Sequence, residues 1–144
     1  MARNTESKLK SEIFALIKEN QESYLATSLN NQPFVRPLIL FYAWGRFWYI
    51  SLKNEAKTAQ LKNNNKVEVC IPLRDSGHTG YIRASGIAKI IKDHNLRYDA
   101  IDFCYFFDEY FEGADDPNYI LIELLFDQME LMRPGESYSE KVNL

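Results

Sequence analysis

Between Tyr81 and Ile91 the side chains follow a period of two. Ile82, Ala84, Gly86, Ala88 and Ile90 fall on one face of an extended chain, and Arg83, Ser85 and Lys89 on the other. A period of two sustained this long specifies a strand with one face on a core. Alanine and glycine at the middle of the apolar face mean that something packs closely against it. Lys66–Leu73 repeats the pattern, with Val67, Val69 and Ile71 on one side. Tyr24–Leu29 is rich in β-formers and is followed by an Asn30-Asn31-Gln32 turn signal. Phe34 to Ala43 is a long run of branched, aromatic and leucine residues. Pro37 lies inside it and cannot donate to a ladder, so this segment is expected at an edge or a bulge. A Gly45-Arg46 turn leads to a return strand, Phe47–Ser51. Near the C-terminus, Tyr119–Phe126 and Met129–Met132 read as a hairpin turning at Asp127-Gln128 and stopped by Pro134-Gly135.

The helical period appears three times. Leu9, Ile13, Leu16 and Ile17 share one face of an N-terminal helix within residues 1–20, with Thr5 as candidate N-cap. Glu55 to Lys62 reads as a short helix capped by Asn54 and broken by Asn63-Asn64-Asn65. Asn95 to about Phe111 reads as one aromatic-rich helix. Pro72 to Gly80 is expected as a loop turning at Asp75-Ser76-Gly77, and the polar tail, residues 136–144, as frayed. The expected fold is mainly β with α additions, in a single domain spanning 1–144 with no linker or repeat.

Several function classes recede. Net charge is −3, so there is no general attraction to a nucleic-acid backbone. The N-terminal segment has no apolar signal-like core, and the apolar runs are too short to span a bilayer; a soluble cytoplasmic protein without membrane association is expected. Cys70 and Cys104 form no C-x-x-C pair and read as buried thiols. His78 and His94 have no partner spacing for a metal, and none is expected. The acidic cluster Asp108–Asp116 lacks the alternating calcium-loop pattern and reads as a solvated loop. Tyr105, Phe106, Phe107, Tyr110 and Phe111 fit either a lid over a ligand or packing in a core or dimer. No serine, cysteine or histidine constellation indicates covalent catalysis.

Two basic residues suggest a site. Arg36 sits beside Pro37, and Lys57 lies in the first turn of the short helix after the third strand. A helix start offers free N–H groups to an anion. Ser51 ends the preceding strand, so Arg36, Ser51 and Lys57 can converge on one phosphate. The plain alternative is that both bases are solvated surface charges.

A resemblance bears on that choice. Leu25-Ala26-Thr27, an Asn-Asn turn and Pro33-Phe34-Val35-Arg36-Pro37-Leu38 stand in order. So do Trp48-Tyr49-Ile50-Ser51, Asn54-Glu55-Ala56-Lys57-Thr58-Ala59-Gln60-Leu61-Lys62-Asn63-Asn64 and Tyr81-Ile82-Arg83-Ala84-Ser85-Gly86. In order and spacing they resemble the pyridoxamine 5′-phosphate oxidase family of FMN-binding split barrels, in its short, general-stress-protein-like branch. The resemblance implies a six-stranded antiparallel split β-barrel of Greek-key type, with FMN at a homodimer interface. It implies that Arg36 and Lys57 bind the FMN phosphate and that Ser51 hydrogen-bonds it, with Ile50 and Thr58 adjacent. Pro37 and Leu38 would contact the ribityl chain or ring, and Tyr81 would stand where the family often has a glutamine reaching the flavin.

The departures concern the substrate. Ala56 replaces a second base before the lysine, Phe41 replaces a lysine, and residues 134–144 hold no arginine or histidine to grip pyridoxal phosphate. A site lacking these groups does not select a second phosphate. The expectation is an FMN-dependent oxidoreductase passing hydride through flavin N5 to an unknown small substrate. The rival is a non-catalytic protein that stores or senses flavin, deazaflavin or haem. Related haem binders use a histidine near the C-terminal region, and none follows His94.

Overall fold

The computed structural model describes residues 2–53 and 56–144, with side chains for 5–53 and 60–144. Helix α1 (Ala2–Leu16) precedes strands β1 (Asn20–Leu29), β2 (Gln32–Ala43) and β3 (Arg46–Leu52). Helix α2 (Ala56–Asn63) crosses to β4 (Lys66–Asp75) and β5 (His78–Ile91). Helices α3 (His94–Ala100) and α4 (Phe107–Tyr110) follow, joined through a 3-10 turn at Ile101–Phe103; β6 (Tyr119–Met132) and β7 (Glu140–Asn143) end the chain.

All the strand pairings are antiparallel. Their order is β3-β2-β1-β4-β5-β6-β7, and β3 also pairs with β6, closing the first six into a ring. The β4-β1-β2-β3 arrangement is a Greek key, with the connection through α2 returning the chain beside β1. This is the expected split barrel, with β7 added along the outer half of β6.

Three hairpins set the register, each closed by two residues of positive φ: Asn30-Asn31, Trp44-Gly45 and Ser76-Gly77. Turns of this hand match the twist of the flanking strands. The second lies one residue earlier than its Gly45-Arg46 signal. Trp44 tolerates φ 58° there, its ring resting on Trp48 and Phe103 at 5.5 and 5.4 Å between centroids. The loop expected at Pro72–Gly80 is instead a tight hairpin, with both strands running to the turn.

The barrel interior holds Leu25, Leu40, Tyr49, Val69, Ile71, Ile82, Ala84, Ile122 and Leu131, with Leu9 and Ile13 of α1 joining them. A second core lies outside the ring. There Phe41, Trp48 and Leu121 meet Ala100, Cys104, Phe107 and Phe111 from the α3–α4 segment.

Three further expectations need correction. Residues 119–132 form one strand, not a hairpin: the pairing with β5 shifts at Ser85/Gly86, and Asp127 is the extra residue of a bulge. A Cβ on Gly86 would collide with the Leu125 carbonyl oxygen, so the bulged backbone of β6 is what requires a glycine at this point of β5. The helix expected over Asn95–Phe111 breaks after Ala100. Cys104 is extended (φ −95°, ψ 98°), which delivers Phe103 and Phe106 onto Phe41 and outweighs the weak helix propensity of aromatic residues. Finally, the tail is not frayed: β7 pairs with β6 and buries Val142.

Candidate functional site

Strands β2 and β3 pair only at the turn end, from Ala43–Arg46 to Phe41–Trp48. Beyond Phe41 the strands part, and Pro37 lies in the unpaired stretch of β2, where a missing N–H donor costs nothing toward β3. The gap opens a groove of about 370 Å³ lined by Pro37, Leu38 and Ile39 from β2 and Ile50, Ser51 and Leu52 from β3. Tyr105, Phe106, Glu109, Tyr110 and Phe111 form its other wall. Along β2 the same Pro37–Ile39 segment borders a larger groove of about 870 Å³ that reaches Lys18, Tyr24, Pro72 and Arg74.

Four of the residues expected from the sequence, Pro37, Leu38, Ile50 and Ser51, therefore meet in one place. Ser51 is buried, on the same face of β3 as Phe47 and Tyr49, and its hydroxyl donates to the Leu52 carbonyl at 3.3 Å.

Arg36 sits on the barrel-facing side of β2, opposite Leu25. Its guanidinium donates to Thr27 Oγ1 at 2.6 Å and to Gln60 Oε1 at 2.5 Å. Thr27 also donates to Gln60 Oε1 at 2.6 Å. Thr27 and Gln60 are each 4% exposed, so this is a buried polar network joining β1, β2 and α2. Sequence reasoning missed Thr27 and Gln60, because partners 33 residues apart leave no local pattern. Lys57 and Thr58 lie on α2 ahead of Gln60, but their side chains are outside the described residues, as is the Asn54 cap.

Tyr81 is not brought to this groove. It faces outward on β5, between Pro72 and Met132, with its hydroxyl 3.5 Å from Glu130 Oε1. In the ring, β5 stands opposite β2. Phe41, noted above as a departure from the family pattern, is fully buried against Phe103 and Phe106 and takes no part in the groove.

The aromatic segment divides between the two roles expected of it. Phe107 and Phe111 are core residues that pack against Tyr119, edge-to-face at 5.0 Å and tilted at 5.4 Å between centroids. Tyr105 and Tyr110 are 68% and 57% exposed and stand edge-to-face with Phe106, at 5.3 and 5.8 Å.

The acidic loop beyond them is held by its own hydrogen bonds. Asp116 accepts from the backbone N–H groups of Asn118 and Glu112, which lowers its pKa. Arg97 donates to the carbonyls of Tyr119 and Ala114 and lies over the Tyr119 ring at 4.4 Å. Burial raises the Tyr119 hydroxyl well above its ordinary range, and it donates to the Arg97 carbonyl. No helix among the described residues is long and apolar enough to cross a membrane.

The six-stranded split ring is the fold expected from the resemblance. A family model described as pyridoxamine 5′-phosphate oxidase matches residues 9–133. The chain belongs to that family. Within the pyridoxamine 5′-phosphate oxidase family it is similar to General stress protein 26 of Bacillus subtilis (strain 168), 25% identical over 129 residues, 89% of this chain and 91% of the relative. Among solved structures, General Stress Protein 26 of Bacillus anthracis str. Sterne superimposes with a TM-score of 0.73 at 23% identity, covering 94% of this chain and 98% of that one. A FAD-binding protein of Mesorhizobium loti gives a TM-score of 0.67 at 20% identity, covering 83% and 90%. The last two likenesses establish the shared fold.

Proposed function

We propose that this protein binds FMN in the β2/β3 groove and serves as a flavin-dependent oxidoreductase. The observation that carries the reading is the groove itself. Two strand segments that ought to pair instead stand apart, leaving apolar walls from Pro37–Ile39 and Ile50–Leu52 beside an aromatic ladder. Its volume lies within the range of small-molecule sites, and its flat apolar walls suit a planar ring.

Pro37, Leu38 and Ile50 would flank the ring and ribityl chain. Ser51, Arg36 and the start of α2, with Lys57 and Thr58, would hold the phosphate. Arg36 already has a fixed direction from Thr27 and Gln60. Bound flavin would supply hydride transfer at N5; the protein residues bind, orient and exclude water around it. The outer faces of β1 and β2 expose Tyr24 and Val35 beside the larger groove, an apolar surface that fits a second copy of the chain. Tyr81 would reach a shared ligand only from such a second copy. A homodimer, in the cytoplasm, is part of the same proposal.

The test is a visible absorption spectrum of protein mixed with excess FMN and desalted, compared with R36M/K57M. Retained yellow bands support the reading. Charge-assisted hydrogen bonds are worth about 1.5–3 kcal/mol each, so the double variant should bind FMN at least about a hundredfold more weakly. A colourless wild-type protein, or equal retention by the variant, overturns it.

A further inference from the structure

The charges around the groove are one-sided. Its described lining contains no lysine, arginine or histidine, and Glu109 is its single ionisable carboxylate. The bias extends through the whole wall-bearing segment. From Tyr98 to Met132 the chain has no basic residue, against ten aspartates and glutamates, of which Glu123 is paired with Arg46 and Glu130 with Arg83 from other strands. The wall itself offers a carboxylate and no base, so a ring lying against it gains from carrying positive charge. Beside Glu109, Tyr105 and Tyr110 expose their rings, edge-to-face with Phe106. Exposed tyrosine faces next to a carboxylate are the elements that recognise an organic cation by ring quadrupole and charge together. The ladder itself presents flat surfaces rather than a round cage.

We infer that the Tyr105–Phe106–Glu109–Tyr110 wall binds a planar aromatic cation, such as a pyridinium- or acridinium-type ring, as the protein's substrate class. This deepens the flavin reading, and rests on it for the role of substrate. Binding of the cation depends only on the wall. An anionic group laid against this wall would meet Glu109 with no base on the wall to offset it.

The test uses 10-methylacridinium as the flat cation and acridine-9-carboxylate as its anionic counterpart. Each is titrated by fluorescence against the full-length protein, with and without added FMN. The cation should bind saturably and at least about tenfold more tightly than the carboxylate, and the gap should shrink with salt. E109Q should weaken the cation about three- to fivefold, in the range of a partly screened ion pair, and narrow the preference. Y110L should weaken it about two- to fivefold through the lost ring face. Circular dichroism of both variants checks that the fold is intact. Equal affinity for the two probes overturns the inference, as do unchanged affinities in both folded variants. Displacement of the cation by FMN also overturns it, because the wall would then serve the flavin. Flavin retention is read separately by desalting. Protein that keeps FMN and ignores the cation fails this inference alone; protein that binds the cation and keeps no FMN fails the flavin reading and leaves the cation site standing.

Discussion

Gln60 Oε1 on α2 lies 2.5 Å from the Arg36 guanidinium on β2, and the same oxygen accepts from Thr27 on β1. One amide oxygen thus joins the helix that follows β3 to the two strands before it. Gln60→Leu removes the acceptor and leaves two donors to find other partners at a buried position. The expected cost is about 1–3 kcal/mol of stability, measured by urea unfolding. Gln60→Glu keeps the acceptor and adds a negative charge beside Arg36. Its fold should be at least as resistant to urea as Gln60→Leu, while FMN retention falls about tenfold or more as Arg36 is neutralised toward phosphate. Full FMN retention by a folded Gln60→Glu protein would remove Arg36 from the phosphate site.

Gly86 sits where β6 bulges, and a Cβ there meets the Leu125 carbonyl oxygen and carbon and the Phe126 Cα. These are backbone atoms in the middle of a sheet, so relief requires the strands to separate. Gly86→Ala should cost about 1–3 kcal/mol or more. For a chain of this length that is a fall in Tm of about 4–12 °C, readable by calorimetry. Gly113, with open space around the added atom, is the control, and Gly113→Ala should melt within about 2 °C of wild type. Equal melting of the two variants would contradict the close packing of β5 on β6.

The strands were legible wherever one face alternated cleanly, as at Val67, Val69 and Ile71, because burial on one side of a sheet imposes a period of two. Asp127-Gln128 misled because polar residues mark a bulge as readily as a turn. Only the pairing of β5 with both halves of β6 separates the two. The helix break near Cys104 was hidden for a related reason: Phe41 and Trp48, more than fifty residues away, decide where Phe103 must go. In the groove, Ser51 was legible from its place at the end of a strand before the short helix, whereas Pro37, Leu38 and Ile50 came through the resemblance. The role of Tyr105 and Tyr110 was not, since core and wall aromatics look alike until their exposure is known. Tyr81 was placed by likeness alone, and the ring order puts it on the opposite side of the barrel from β2.

Cys104 is 4% exposed, and burial pushes its thiol up to about 11. Cys70 is also raised, again by burial first, with nearby Arg83 acting in the opposite direction. At pH 8 only about one part in a thousand of the Cys104 side chain is thiolate, the form that reacts. Native protein treated with iodoacetamide should therefore leave Cys104 unmodified over hours, and unfolding in urea should expose it to rapid alkylation. Peptide mass spectrometry reads each site separately. Fast native alkylation of Cys104 would mean that the α3–α4 segment opens readily from the barrel.

Arg133, at the end of β6, donates to both carboxylate oxygens of Glu12 on α1, at 2.7 and 2.8 Å, and pairs with Glu136 and Glu140 at 3.3 and 2.9 Å. The Arg133 hydrogen bond lowers the Glu12 pKa below its ordinary 4.5, against a smaller opposing effect of burial. A carboxylate depressed in the folded state adds stability that is fully present above its unfolded value and is lost as pH falls through the folded one. The Glu12 side chain is 41% exposed, so solvent screening holds the contribution to less than about 1 kcal/mol. Between about pH 5 and pH 3, Tm should fall less steeply in E12Q than in wild type, and the two should approach each other at the acid end. Above about pH 6 the variant should melt lower by a few degrees at most. Parallel curves across the whole range would show that the pair clasping α1 to the barrel makes no difference to acid stability.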